Sequence, residues 1–168
     1  MVQNKKQIIH HAVFALVFIL LIFGDRITKN FAITSLGQDD ITIIPGVFTL
    51  HYLENPGAAW GIFPNAIWFF AIITIVVLGA MIYFYSRIPV QKKFLLLRFT
   101  IILLAAGAIG NFIDRMMWHY VVDFLYIKAI NFPVFNVADC YVCVAAVLLI
   151  YCLLFRYKEE DFLWKKKN

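Results

Sequence analysis

Charge is what this chain has least of. Of its 168 residues only 15% are Asp, Glu, Lys or Arg, while 63% are hydrophobic. A soluble domain carries about 25% charged and about 45–50% apolar residues. The shortage excludes an ordinary water-surrounded surface and puts lipid around much of the chain. Mean hydropathy is +0.82, which agrees. The net charge of +5 is informative through its placement rather than its sum, and no nucleic-acid partner is expected. Cysteine is scarce too. Cys140, Cys143 and Cys152 all lie in one apolar segment with no histidine near enough to complete a metal set. The Cys140/Cys143 pair reads as small packing residues, because metal and redox sites need polar, accessible surroundings. No metal and no cofactor are expected.

Four apolar stretches are long enough to span a bilayer, which takes about 20 residues. They cover approximately 8–30, 65–85, 94–113 and 138–155. The charged sequence GDRITK after the first offers no small-x-small cleavage site, so that stretch is expected to stay as a helix rather than be removed. His10 and His11 read as interface residues at its start. The whole chain, 1–168, is expected to form one integral membrane domain, with no sign of a second copy.

Eleven of the 15 Lys and Arg fall before the first span, around 86–98 and after the last span. The positive-inside rule then puts both termini in the cytoplasm and segments 34–64 and 114–137 outside. Arg98, about one turn inside the third span, is expected to snorkel back to the basic interface. Trp164 and the three lysines after it suggest contact with the membrane surface. In 34–64, ITII (41–44) and VFTLHYL (47–53) are rich in β-branched and aromatic residues between turn signals at Asp39-Asp40 and Pro45-Gly46. They read as short strands of a small sheet. Residues 116–135 read as a loop. The fold class is therefore an all-α membrane protein of four transmembrane helices, with a small extracytoplasmic β-sheet and loop over the outer face.

The polar residues that remain gather at that face. Asp25 and Lys29 stand four apart at the end of the first span and can pair. Asn55 and Gly57 begin the NPGAAWG stretch, where small residues admit close approach of a backbone; a plain turn is the alternative. Asn111, Asp114 and Arg115 end the third span, after the small residues 105–110 that close helix packing in lipid requires. Asp114 is expected to pair with a cation, Arg115 or another. Asp123, Asn136 and Asp139 follow, with Asp139 in the first turn of the fourth helix, where the macrodipole favours an anion. Four separate segments thus converge on one side of the bilayer.

Ionisable groups near lipid mark function. There is no Ser–Lys pair, GxSxG or HExxH, so serine and zinc hydrolase chemistry lack their parts. His119 has no serine or thiol that needs it as a base. Asp123 and Asp139 remain: two carboxylates in apolar surroundings that could share one proton and divide acid and base work on a peptide bond. A non-enzymatic four-helix proton or ion pathway is the rival. A relay needs ionisable groups staggered across the bilayer, and here the second span has none.

Five blocks occur in order: Gly24–Lys29 (GDRITK), Asn55–Trp60 (NPGAAW), Gly110–Arg115 (GNFIDR), Val121–Phe124 (VVDF) and Phe135–Asp139 (FNVAD). Together they closely resemble the lipoprotein signal peptidases, the type II signal peptidases of bacteria. Each block alone is weak; five in order cover nearly the whole chain. Arg26 and Cys140 depart from the residues the family often has, Gln and Ser. The resemblance implies an aspartyl endopeptidase of the bacterial cytoplasmic (inner) membrane. It would remove signal peptides from diacylglyceryl-modified prolipoproteins, cutting before the lipidated cysteine. It implies Asp123 and Asp139 as the catalytic pair. Asn55, Gly57, Asn111, Asp114, Arg115 and Asn136 would be supporting or substrate-contacting residues, and Asp25 and Lys29 structural ones. Its partners would be the lipidated signal peptide, membrane lipid and inhibitors of the globomycin type.

Overall fold

A computed structural model describes residues 2–37, 39–57 and 66–161. Residues 58–65, which include Ala58–Trp60 of the NPGAAW block and the first residue of the expected second span, and the tail from 162 with Trp164 lie outside the described residues. Among the described residues four helices are long and apolar enough to cross a membrane: α1 (Val2–Phe31), α2 (Ile67–Arg87), α3 (Leu95–Trp118) and α4 (Val137–Tyr151). The protein is mostly helical and multi-pass. A π-helical turn, Ala32–Leu36, extends α1 and another, Cys152–Arg156, extends α4.

α3 is the centre of the bundle, packed on by each of the other three helices. Its sequence explains why. Gly107 and Gly110 leave one face without side chains. A methyl group at Gly107 would lie 2.5 Å from the Ala138 carbonyl oxygen, and one at Gly110 would lie 2.6 Å from Asp25 Oδ2. The small residues therefore bring the α4 backbone and the Asp25 side chain of α1 directly onto α3, the close approach by which helices pack in lipid. The third helix also continues past residue 113, the expected end, to Trp118. Asp114 and Arg115 fit inside the helix because partners on other segments satisfy them. His119, with φ 65°, closes it by donating its N–H to the Arg115 carbonyl at 3.2 Å.

The sheet has three antiparallel strands in the order β1 (Ile41–Ile44), β2 (Phe48–Asn55) and β3 (Val121–Ile127). The third strand corrects the reading of 116–135 as a loop. Val121-Val122-Asp123-Phe124 is buried, and the strand pairs Phe48 with Ile127 and Asn55 with Val121, with an irregularity between Leu50 and Leu53. Val122 and Phe124 join Ala32 and Leu36 in a core under the sheet, with Tyr52, Trp118 and Val137 around it. That core fixes the sheet on the ends of α1 and α3. At the other end of the bundle Ile88, Phe94, Leu97, Cys152 and Tyr157 form a second core. Tyr157 stacks on Phe94 and donates to the Lys93 carbonyl at 2.9 Å, and Lys93 pairs with Asp161.

Arg98, 1% exposed, turns back toward the 86–93 loop. Its guanidinium donates to the Ile88 carbonyl at 2.6 Å, reaches His11 Nδ1 at 3.3 Å and lies 4.0 Å over the Tyr85 ring. A local carbonyl and an aromatic face replace the water that snorkelling would have provided.

Candidate active site

The site is built from the first turn of α4. Asn136 caps that helix: its side chain accepts the Asp139 N–H at 3.0 Å, and Asp139 Oδ2 accepts the Asn136 N–H at 3.0 Å. This reciprocal capping box satisfies two of the donors a helix start leaves open. A third, the Ala138 N–H, goes to Asp25 Oδ1 of α1 at 3.1 Å. Asp139 is therefore aimed by the local sequence of its own helix.

Asp123 reaches the same place from β3. Its Oδ1 accepts from Asn136 Nδ2 at 2.7 Å and its Oδ2 from Asn55 Nδ2 at 2.8 Å. Asp139 Oδ1 accepts from Asn111 Nδ2 at 2.7 Å. All four carboxylate oxygens thus receive an amide N–H, and Asn136 serves both acids. Amides hold a carboxyl group in place whether or not it carries a proton, since one oxygen always remains an acceptor. Asp123 is 2% exposed. Burial, the largest effect, pushes its pKa up to about 7, and the charge of Asp139 adds to the rise. The Asn55 and Asn136 hydrogen bonds and the more distant Lys29 pull it down, without overcoming desolvation.

Behind the two acids lies a buried ionic group. Lys29 Nζ is 3.1 Å from Asp25 Oδ2 and 2.7 Å from Asp114 Oδ2, and it donates to Asn111 Oδ1 at 2.8 Å. Asp25, Lys29 and Asp114 are all 0% exposed. Arg26 Nη2 approaches Asp114 Oδ1 at 2.5 Å and Asp25 Oδ2 at 3.2 Å. The cations that Asp114 meets are thus Lys29 and Arg26 of α1, not the adjacent Arg115. Charges removed from water need this degree of pairing. The group then passes order forward: Lys29 holds Asn111 by its oxygen, and Asn111 holds Asp139 by its nitrogen.

Arg115 has a different task. It donates to the Gly57 carbonyl at 3.2 Å and the Asn111 carbonyl at 3.4 Å, and lies 4.9 Å over the Phe70 ring. The Gly57 N–H bonds Asn55 Oδ1 at 3.0 Å. Asn55 therefore binds its own backbone with one end and Asp123 with the other, and Arg115 ties that turn to α3.

A cavity of about 470 Å³ opens over the acids. Asn55, Gly57, Asn111, Arg115, Asp123 and Asp139 line its polar side, and Phe132–Phe135, Val142, Cys140 and Cys143 its apolar side. Asn136, Asp114, Asp25 and Lys29 stand behind the lining. All ten residues singled out from the sequence come together here. Sequence reasoning missed Arg26, whose partners on α3 leave no local pattern, and the Phe132–Phe135 wall, held to β3 by hydrogen bonds between Phe135 and Leu125. His119 is exposed at the end of α3, away from this lining. Among the described residues no three His, Cys, Asp or Glu gather as metal ligands would. Between Arg98 and Asn111 α3 has no ionisable side chain, so its charges do not form a ladder across the bilayer.

A two-acid site with amide donors, beside an apolar cavity in a four-helix membrane bundle, has relatives. The family model described as signal peptidase (SPase) II matches residues 17–155. A lipoprotein signal peptidase of Streptococcus pyogenes serotype M5 is 39% identical over 153 residues, covering 89% of this chain and 95% of that protein, and the serotype M18 protein matches equally. A solved structure described as "Bacterial membrane enzyme structure by the in meso method at 2.3 A resolution" superposes with TM-score 0.77 at 35% identity, covering 88% of this chain and 93% of that one. A second, described likewise at 1.9 A resolution, gives 0.75 at 34% identity, covering 87% and 95%.

Proposed function

The chain belongs to the signal peptidase II family of membrane peptidases, which remove signal peptides from prolipoproteins, and from that premise we propose that Asp123 and Asp139 are its catalytic pair. The supporting observation is that both carboxyl groups face one cavity, each held by amide donors. In this reading a water lies between them. One acid, ionised, takes a proton from that water as its oxygen attacks the scissile carbonyl carbon. The other, protonated, donates to the carbonyl oxygen. The tetrahedral intermediate then collapses. The C–N bond breaks as the leaving amine nitrogen takes the proton held by the first acid, and one hydroxyl of the gem-diol returns its proton to the second acid as the new carboxyl C=O forms, which restores the pair. Asp123, with its pKa raised to about 7, suits the protonated role near neutral pH. Asp139, in the first turn of α4, suits the ionised one.

The substrate is a prolipoprotein carrying diacylglycerol on a cysteine, and the cut falls just before that cysteine. The apolar side of the cavity, Phe132 to Phe135 with Val142, suits acyl chains that stay in lipid. In this reading both termini lie in the cytoplasm and the pair at the extracytoplasmic face of the bacterial cytoplasmic membrane, supported by the excess of Lys and Arg in the segments assigned to the inside. Water reaches the scissile bond there, while the signal peptide remains a helix in the bilayer. Asn55, Gly57, Asn111, Arg115 and Asn136 position the pair and the substrate. Asp25, Lys29 and Asp114 hold α1, α3 and α4 in register. A globomycin-type peptide would inhibit by filling the cavity. One domain, 1–168, acting as a monomer, suffices.

The test is incubation of the purified protein with a synthetic prolipoprotein, lipidated or not, followed by mass analysis of the products. Cleavage of the lipidated form alone, with the lipidated cysteine as the new N-terminus, is expected. Asp123→Asn and Asp139→Asn should each abolish it while the protein stays folded. Normal cleavage by either variant removes that residue from the chemistry.

A further inference from the structure

The end of the bundle away from the two acids holds a positive charge without a counter-charge. Arg98 is buried, and among the described residues it forms no ion pair. Its Nε has no hydrogen-bond partner, nor has the buried Nε2 of His10. The Ile88 carbonyl and the Tyr85 ring solvate the guanidinium but do not cancel its charge, and a buried charge with no ion partner is costly. His11 stands between that charge and the surface. Its Nδ1 faces Arg98 Nη2 at 3.3 Å and must accept, since a guanidinium has no acceptor. The proton of the His11 ring is therefore on Nε2, a donor on an exposed residue.

His11 and Tyr85 also begin an apolar slot of about 400 Å³ that continues past Phe14, Met81 and Ala105 to Ile109. The slot exists because α1 and α2 both pack on α3 but scarcely on each other. Along α3 it runs from Ile101 to Ile109, about 12 Å at ~1.5 Å per residue, close to half of the ~30 Å hydrocarbon thickness. It is one leaflet deep and its charged end is positive. A signal-peptide helix fits neither feature, because it spans both leaflets and brings its own cations to that end.

We propose that this slot is a binding site for an anionic phospholipid of the leaflet opposite the acids, one acyl chain lying between α1, α2 and α3 and the phosphate accepting from His11 with Arg98 behind it. Lys5 and Lys6, one to two turns before His11 on α1, add to the field that selects an anionic head. Occupancy would wedge α1 and α2 against α3 and stabilise the bundle by mass action. The site is separate from the proposed catalytic pair and is read without cleavage.

The experiment is thermal unfolding of the purified protein in detergent, with added phosphatidylglycerol, phosphatidylcholine of the same chains, or inorganic phosphate alone. Phosphatidylglycerol at a hundred-fold excess over its dissociation constant should raise Tm by about 5–10 °C, phosphatidylcholine by clearly less, and inorganic phosphate not at all. His11→Leu should cut the difference between the two lipids by more than half, the remainder coming from Lys5, Lys6 and Arg98. Ala105→Phe, which fills the slot and leaves the charges alone, should erase both responses. Equal responses to the two lipids in the unmodified protein would overturn the proposal. So would a preference that His11→Leu leaves undiminished, or a phosphate response as large as that of phosphatidylglycerol. A lipid effect untouched by Ala105→Phe would place the lipid elsewhere.

Discussion

Asp123 should destabilise the protein it serves, and the size of that effect can be worked out. Its carboxyl group is buried in β3 and its pKa rises from 3.8 to about 7. Below pH 4 the group is protonated in both folded and unfolded chains and contributes no difference. Between pH 4 and 7 the folded protein keeps a proton that the unfolded chain has released, so stability falls as pH rises. Above pH 7 both states are ionised and the full penalty is in place. At ~1.4 kcal/mol per unit the penalty is up to about 4 kcal/mol. Asp123→Asn removes it. The variant also turns one amide toward another, since Asn55 and Asn136 both donate to Asp123; that costs about 1–3 kcal/mol at every pH. The difference in stability between variant and parent should therefore shift in the variant's favour by up to about 4 kcal/mol from pH 4 to pH 8. At about 2–4 °C per kcal/mol this is a relative Tm gain of roughly 8–16 °C. Thermal unfolding in detergent at both pH values, for both proteins, measures it. A Tm difference that stays constant across that range would refute the argument, because it would mean that Asp123 is ionised at pH 4 in the folded protein or solvated when ionised. Cleavage by the parent should decline above pH 7 as the same proton is lost.

Other outcomes follow from the packing and the ion pairs. Lys29→Ala leaves Asp25 and Asp114 with only Arg26 between them, and should cost about 3–5 kcal/mol, read as a lower yield of folded protein and a lower Tm. Gly107→Ala presses a methyl group onto the Ala138 backbone, a neighbour that cannot swing aside, and should cost at least about 1–3 kcal/mol; unchanged thermal unfolding would contradict it. Asn111→Ala cuts the connection from Lys29 to Asp139 while leaving the ion pairs, so it should lower kcat for prolipoprotein cleavage more than it lowers Tm. Tyr157→Phe removes the hydrogen bond to the Lys93 carbonyl at the far end of the bundle, which should cost about 1 kcal/mol, with cleavage unchanged.

The four helices and the first two strands were legible because their signals are local: uninterrupted hydropathy for α1 to α4, alternating β-branched and aromatic residues for β1 and β2. β3 was not, although Val121-Val122-Asp123-Phe124 has strand-forming residues. Its partner lies some seventy positions earlier, and a central aspartate makes the segment look like loop. The ten site residues could be named through their motifs, yet their connections could not. Asp114 beside Arg115 suggests a neighbouring pair, whereas the helix geometry points the two side chains to different elements, Asp114 to α1 and Arg115 to the Gly57 turn. For Arg98 the direction was legible, back toward the 86–93 loop, and the acceptor was not, because the Ile88 carbonyl at 2.6 Å is brought there by the fold.

Asn136 contacts the backbone of its own helix, Asn111 and both acids at once. Its backbone N–H holds the Asp139 carboxylate while its side-chain amide holds Asp123, so the start of α4 and the arrangement of the two acids are one structure. Fraying that single turn would free Asp139 and take a donor from Asp123 in the same movement, so the two would lose their places together.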